Sequence, residues 1–223
     1  MPVITNPYRF AVVTEFDSMY ESFNPLTTIN KQHFVEWFSG SSLPSYWTTT
    51  LVSGTVSMSD SVDGGIKLST SGVNQKATIH FNDKKQYAHD GSVLLSVFKF
   101  DSTQASTIQS IGFTDNNKSD GARTSGANSA GFSDVVNQGT IYVDHGDGSG
   151  AVINTNSGVT ADTNWHVGKI TLDGSSLITQ IDGVAIGSTI TTDIPTARLQ
   201  PIAHIDSGVT KNLHINYMEC YNT

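Results

Sequence analysis

His166, Asp173 and Asp182 lie close together in the stretch NWHVGKITLDGSSLITQIDGV, residues 164–184. An imidazole oriented by a carboxylate is a common general base, so this grouping is a first place to look for catalysis. Both aspartates, however, precede a glycine. Asp-Gly is the pair that tight turns demand, because φ > 0 is cheap for Gly and tolerable for Asp. The stretch therefore reads as two strands joined by turns, with His166 at a strand start and no catalytic duty.

Carboxylate pairs come next. Retaining glycoside hydrolysis needs two carboxyl groups about 5 Å apart, and alternate positions on one strand supply that spacing. The chain has only four glutamates, Glu15, Glu21, Glu36 and Glu219. None pairs with another acid at strand spacing in a core strand, since Glu15 and Asp17 fall in the N-terminal segment. The run DHGDGSG, Asp144 to Gly150, offers Asp144 and Asp147 as oxygen ligands for calcium. It lacks the full loop spacing and the bidentate Glu, so it reads as a Gly-rich turn. The seven histidines show no zinc spacing, and His80, His204 and His214 sit inside strand-like runs. Cys220 is the single cysteine, which rules out an intrachain disulfide and reads as an inert thiol. No phosphate loop, nucleophile elbow or dinucleotide fingerprint occurs. These residues assign no catalytic, metal or cofactor site, and they single out no glycan-binding residue.

Composition narrows the partners. Twelve Lys plus Arg against twenty Asp plus Glu give a net charge of −8, which excludes a basic stripe for nucleic acid. No apolar run is long enough to span a bilayer as a helix. The opening residues show no basic segment followed by an apolar one, so no secretion signal is expected. Ser and Thr number 53 and Gly 20, a balance that favours strands and polar turns.

The elements that must carry these residues are short β-runs. From Ser39 onward, KATIHFND, GSVLLSVFKFDS, TIQSIGFTD, GTIYVDHGD, HVGKITLDG, SLITQIDGV, LQPIAHIDS and KNLHINYMECYN are separated by turn signals. Residues 115–134 read as the longest polar surface insertion. Before Ser39 the texture differs. Half of the 20 aromatic residues fall in the first 47 positions. The segment to about Asn30, interrupted by Pro2, Pro7 and Pro25, has no regular period and reads as an extended arm. INKQHFVEWF suggests one short helix over residues 31–38.

The pieces WFSGSSLPSYWTTT, DSVDGGIKLSTSG, IGFTD, DTNWHVGKITLDGSSLITQIDGV and KNLHINYMECYN resemble, in that order, the concanavalin A-like (laminin G-like) β-sandwich, in forms common among virus and phage structural proteins. The resemblance implies an all-β jelly roll of two antiparallel sheets over residues 34–223, preceded by an arm over residues 1–33. It implies that Trp165 packs in the core. Glycosidases on this sandwich carry a pattern resembling Glu-x-Asp-x-x-Glu, and the related lyases one resembling Gln-x-His. Neither occurs, and Gln75 and His80 stand at the wrong spacing for the second. The expectation is thus a non-enzymatic virion component, such as a capsid decoration, spike or tail-fibre module. Its partners would be other virion proteins and copies of itself through the arm, with host surface glycans as a further ligand. The alternatives are a lectin-like glycan-binding module outside any virion and a polysaccharide-degrading enzyme with an unfamiliar site.

Overall fold

The computed structural model describes residues 33–58, 64–101, 107–116, 126–134 and 139–223, and contains strands and turns with no helix among them. The first strands are β1 (His33–Glu36), β2 (Thr48–Val52), β3 (Thr55–Met58), β4 (Ile66–Ser71) and β5 (Gln75–His80). The middle ones are β6 (Ser92–Phe100), β7 (Thr107–Thr114), β8 (Asn128–Asp134), β9 (Thr140–Asp147) and β10 (Ile153–Thr160). The last are β11 (His166–Leu172), β12 (Leu177–Ile181), β13 (Val184–Ala185), β14 (Gln200–Ser207) and β15 (Thr210–Asn222).

They form two antiparallel sheets. The eight-stranded sheet runs β13-β12-β11-β6-β15-β4-β3, with β1 added along β15. The seven-stranded sheet runs β10-β9-β8-β7-β14-β5-β2. Neighbouring side chains on a strand point to opposite faces, so each strand gives every second residue to the space between the sheets. Leu94, Phe98, Ile170, Leu213 and Ile215 enter it from one side, and Ile79, Ile111, Phe113, Phe132 and Ile205 from the other. This is the concanavalin A-like jelly-roll sandwich expected from the sequence. The His166 stretch folds as expected too: β11 turns at Asp173-Gly174 into β12, which turns at Asp182-Gly183 into β13.

Three local expectations need correction. Residues 33–36 form a strand rather than part of a helix, pairing His33 with Tyr221 and Phe34 with Cys220. The same spacing that suggested a helical face instead lets Phe34 reach an aromatic cluster, 4.9 Å from Phe81 and 5.7 Å from Trp47. Pairing along β15 decides the outcome, because local propensity is weak beside tertiary packing. The second half of the polar insertion is β8, buried at every position. Ala130 and Phe132 face the core while Ser129, Gly131 and Ser133 face away, so a polar composition hid a central strand. Trp165 is only half-buried and packs with Trp37, Val35 and Val167 over Leu95, Val97 and Tyr217 on the outer face of the eight-stranded sheet. The arm expected over residues 1–33 lies, up to residue 32, outside the described residues.

Candidate functional site

The outward face of the seven-stranded sheet gathers the polar chemistry. Register places Thr50, Thr78, His204, Ser110, Ser133 and Tyr142 in one row across six strands. The next row holds Thr48, His80, Ile202, Gly112, Gly131, Asp144 and Asn154. A third, shorter row aligns Gln200, Thr114, Ser129 and Gly146. A typical outward sheet face carries charged side chains in water. This one carries mostly hydroxyls, amides and imidazoles, with Asp144 among them, and at its centre they are shielded from solvent.

Gly112 and Gly131 oppose each other at the centre, so the floor beside Asp144 is bare backbone. A Cβ on Gly112 would overlap the carbonyl oxygen of Ala130 and the Cα of Gly131. Close approach of β7 and β8 thus demands glycine there. Asp144 is fully buried, and Asn154 donates from its Nδ2 to Asp144 Oδ1. Around this floor the hydroxyls of Ser110, Ser129 and Ser133 are buried without a hydrogen-bond partner. Each such group costs about 1–3 kcal/mol of lost solvation. Native structures rarely leave several together unless the site has another use for them.

Two histidines flank the floor. His80 Nδ1 accepts the N–H of Asn82 at 3.0 Å, which places the ring proton on Nε2 facing Thr50 Oγ1 at 2.9 Å. Burial lowers the pKa of His80, against a smaller upward pull from Asp83. That favours the neutral ring, a donor on this face. His204 Nδ1 lies 2.7 Å from Thr78 Oγ1.

The residues singled out from the sequence scatter to other duties. His166 sits between Asp182 Oδ2 at 2.8 Å and Asp162 Oδ1 at 3.2 Å, at the start of β11. Asp173 closes its turn by accepting from the N–H groups of Ser175 and Ser176. Asp147 accepts the N–H of Ser149 in a local turn, while Asp144 faces the polar floor, so the DHGDGSG run divides its two aspartates. Among the described residues no three His, Cys, Asp or Glu side chains gather as a metal group. Glu36 and Glu219 both belong to the eight-stranded sheet. Glu36 accepts the N–H of Phe38 and the hydroxyl of Tyr46, and Glu219 accepts the hydroxyl of Tyr217 at 2.6 Å and meets His33 Nε2 at 2.8 Å. Glu15 and Glu21 lie outside the described residues. Cys220 is buried in the core, and burial pushes its thiol pKa well up. Gln75 binds Ser71 in its own hairpin, away from His80. The sequence did not point to Ser110, Ser129, Ser133 and Gly131. The available signal was the Ala-x-Phe alternation of Ala130 and Phe132, which implies that the residues between them face outward.

No protein-family model matches the chain, and no curated protein matches it. Solved structures do match the fold over most of its length. A β-1,3-1,4-glucanase (lichenase) from a mouse hindgut metagenome is 14% identical with a TM-score of 0.63, covering 86% of this chain and 99% of its own. A β-glucanase of Bacillus licheniformis is 14% identical with a TM-score of 0.61, covering 86% and 98%. A pseudo β-1,3-glucanase of Mycobacterium tuberculosis is 10% identical with a TM-score of 0.60, covering 85% and 98%. At these identities the likeness establishes the jelly-roll fold. It also overturns the expectation of a non-enzymatic virion structural protein. The similar structures carry glucanase or pseudo-glucanase names, with no virus or phage protein among those described.

Proposed function

We propose that the chain is a polysaccharide-degrading enzyme that works on the outward face of the seven-stranded sheet. The observation that carries this reading is the group of buried, unpartnered hydroxyls of Ser110, Ser129 and Ser133 around the Gly112–Gly131 floor beside Asp144. A sugar offers what those groups lack, a dense set of hydroxyls that both donate and accept. Gly112 and Gly131 carry no side chain, so the floor between these polar groups is backbone, and both are shielded from solvent.

Asp144 is the group to which we assign proton transfer at the glycosidic oxygen. Among the described residues, the outward positions of β7 and β8 beside it carry Ser, Gly and Thr and supply no second carboxylate at the short spacing of a retaining pair. Asp206 shares the face but lies on β14, three strands away and four residues along, about 20 Å in all, and is paired with Lys76 at 3.1 Å. We assign the reaction one protein carboxylate: Asp144 gives its proton to the leaving oxygen, and the water that accepts the cleaved glycosyl group returns a proton to it. The setting we propose is extracellular or virion-borne, supported by the Ser/Thr-rich, Lys- and Glu-poor composition. Association through the aromatic arm belongs to the same proposal.

The test is a panel of lichenan, laminarin, xyloglucan and mucin-type glycans, with products sized by chromatography and reducing ends counted. Shortened polymer with the native chain and intact polymer with Asp144→Asn is the expected result. Every glycan recovered at its starting length, or cleavage that survives Asp144→Asn, overturns the reading.

A further inference from the structure

The opposite side of the molecule carries a second arrangement that the cleavage reading does not use. On the outward face of the eight-stranded sheet, His214 of β15 pairs in register with Lys99 of β6 on one side and Lys67 of β4 on the other. Extending the β11–β6 register by one residue sets Trp165 opposite Lys99, and the β3–β4 register sets Ser57 opposite Lys67. Trp165, Lys99, His214, Lys67 and Ser57 therefore form one straight row. Across five strands it spans about 19 Å.

Lys67 and Lys99 stand two strands apart, about 10 Å, one on each side of His214. The chain as a whole is acidic, with only twelve Lys plus Arg to place. Among the described residues no ion pair ties either lysine to a carboxylate. Asp101 stands next along the face from Lys99, and its Oδ2 accepts Asn212 Nδ2 at 3.1 Å. The His214 pKa is lowered to about 4, first by burial and then by the charges of Lys99 and Lys67, against an upward pull from Asp101. At neutral pH the row is thus two ammonium groups across a neutral ring. Trp165 is half-buried, with Lys99 Nζ 5.1 Å from its ring centroid and His214 edge-on at 6.4 Å. A half-exposed indole beside cations joins an apolar stacking surface to positive charge.

We propose that this row binds an anionic saccharide, one sugar ring resting on Trp165 and its carboxylate or sulfate held by Lys99 and Lys67. His214 and Ser57 supply neutral hydrogen-bonding groups along the same line. The site lies on the other sheet from Asp144, so it anchors a chain rather than cleaving it.

The experiment titrates the full chain with tetragalacturonate and, separately, with a sulfated galactan tetrasaccharide, reading Trp fluorescence and calorimetric heat. Cellotetraose and inorganic sulfate serve as controls. At least one acidic tetrasaccharide should bind and weaken with added salt. Which of the two binds identifies carboxylate or sulfate as the recognised group. The double change Lys67→Gln with Lys99→Gln should weaken that binding at least tenfold at an unchanged melting temperature, and Lys67→Gln alone should weaken it several-fold. Asp144→Asn should leave it untouched. The inference is overturned if neither acidic sugar binds at millimolar concentration, if the lysine variants bind like the native chain, or if inorganic sulfate binds as tightly as the saccharides. Loss of binding in Asp144→Asn also overturns it, because the sugar would then occupy the other face.

Discussion

Asp182 holds both the ring of His166 and the backbone that follows it. Its Oδ2 lies 2.8 Å from His166 Nδ1, and its Oδ1 accepts the Val167 N–H at 2.8 Å. Asp182 also takes a φ of 53°, in the left-handed region that the turn into β13 requires. One residue thus ties the start of β11 to the end of β12. Asp182→Ala should lower stability by about 1–2 kcal/mol, since it loses the acceptors and keeps the unfavourable φ. Asp182→Asn, which retains an acceptor for Val167 and tolerates that φ, should lose less than half as much. Urea midpoints of the two variants decide it.

The orphan hydroxyls separate stability from function. Replacing Ser110, Ser129 or Ser133 by Ala removes a buried polar group that has no partner, so each change should leave folding stability unchanged or raise it by up to about 1 kcal/mol. If sugar hydroxyls complete those groups, the same variants should raise KM for the polymer. A melting temperature that falls by several degrees in all three would show that the hydroxyls already serve the fold.

Asp134 gives a pH prediction. It faces the interior beside Gln109, and its pKa is raised to about 7, chiefly by burial, with Gln109 and Lys211 pulling it down. A raised carboxylate pKa means that the folded chain holds a proton the unfolded chain has released. Stability from this group is therefore full below about pH 4 and falls as pH rises toward 7. The ceiling is about 4 kcal/mol. Asp134→Asn should flatten the decline between pH 4 and 7 in denaturant titrations, and an unchanged slope would remove Asp134 as its source.

Gly112→Ala should cost more than any of the serine changes. The new methyl group would meet backbone on β8, which cannot rotate away, so β7 and β8 must separate. A loss of about 3 kcal/mol or more is expected by calorimetry, together with loss of polymer cleavage because the floor deforms.

Much of the sandwich was readable because its core strands alternate and its turns use Asp-Gly. The β11–β12–β13 unit is the clear example, since both turn pairs and both apolar faces are local signals. Residues whose placement depends on distant partners were less readable. Phe34 and Trp37 have the spacing of a helix face and become strand-side residues only because β15 offers an edge. Trp165 has the composition of a core residue, yet the alternation that sends His166 inward sends it outward. The polar face was hidden for a different reason. Ser129, Gly131 and Ser133 have turn-like chemistry, and only burial on both sides of β8 shows that they line a face. Asp144 looked like a turn residue for the same reason, and the spacing of paired glutamates carries no signal for a lone aspartate on β9.

The centres of both sheets are filled by strands that come late in the chain. β14 lies between β7 and β5, and β15 lies against β6, β4 and β1. A chain emerging from the ribosome in order would present β5 and β7, and then β4 and β6, with a strand's width missing between them. Neither sheet can close until residues 200–222 are released from the exit tunnel. Folding is then postponed until those residues are made, and it proceeds through long-range pairings that are slow by nature. Until then the open edges of β5, β6 and β7 are the part of the nascent molecule that a chaperone has most cause to cover.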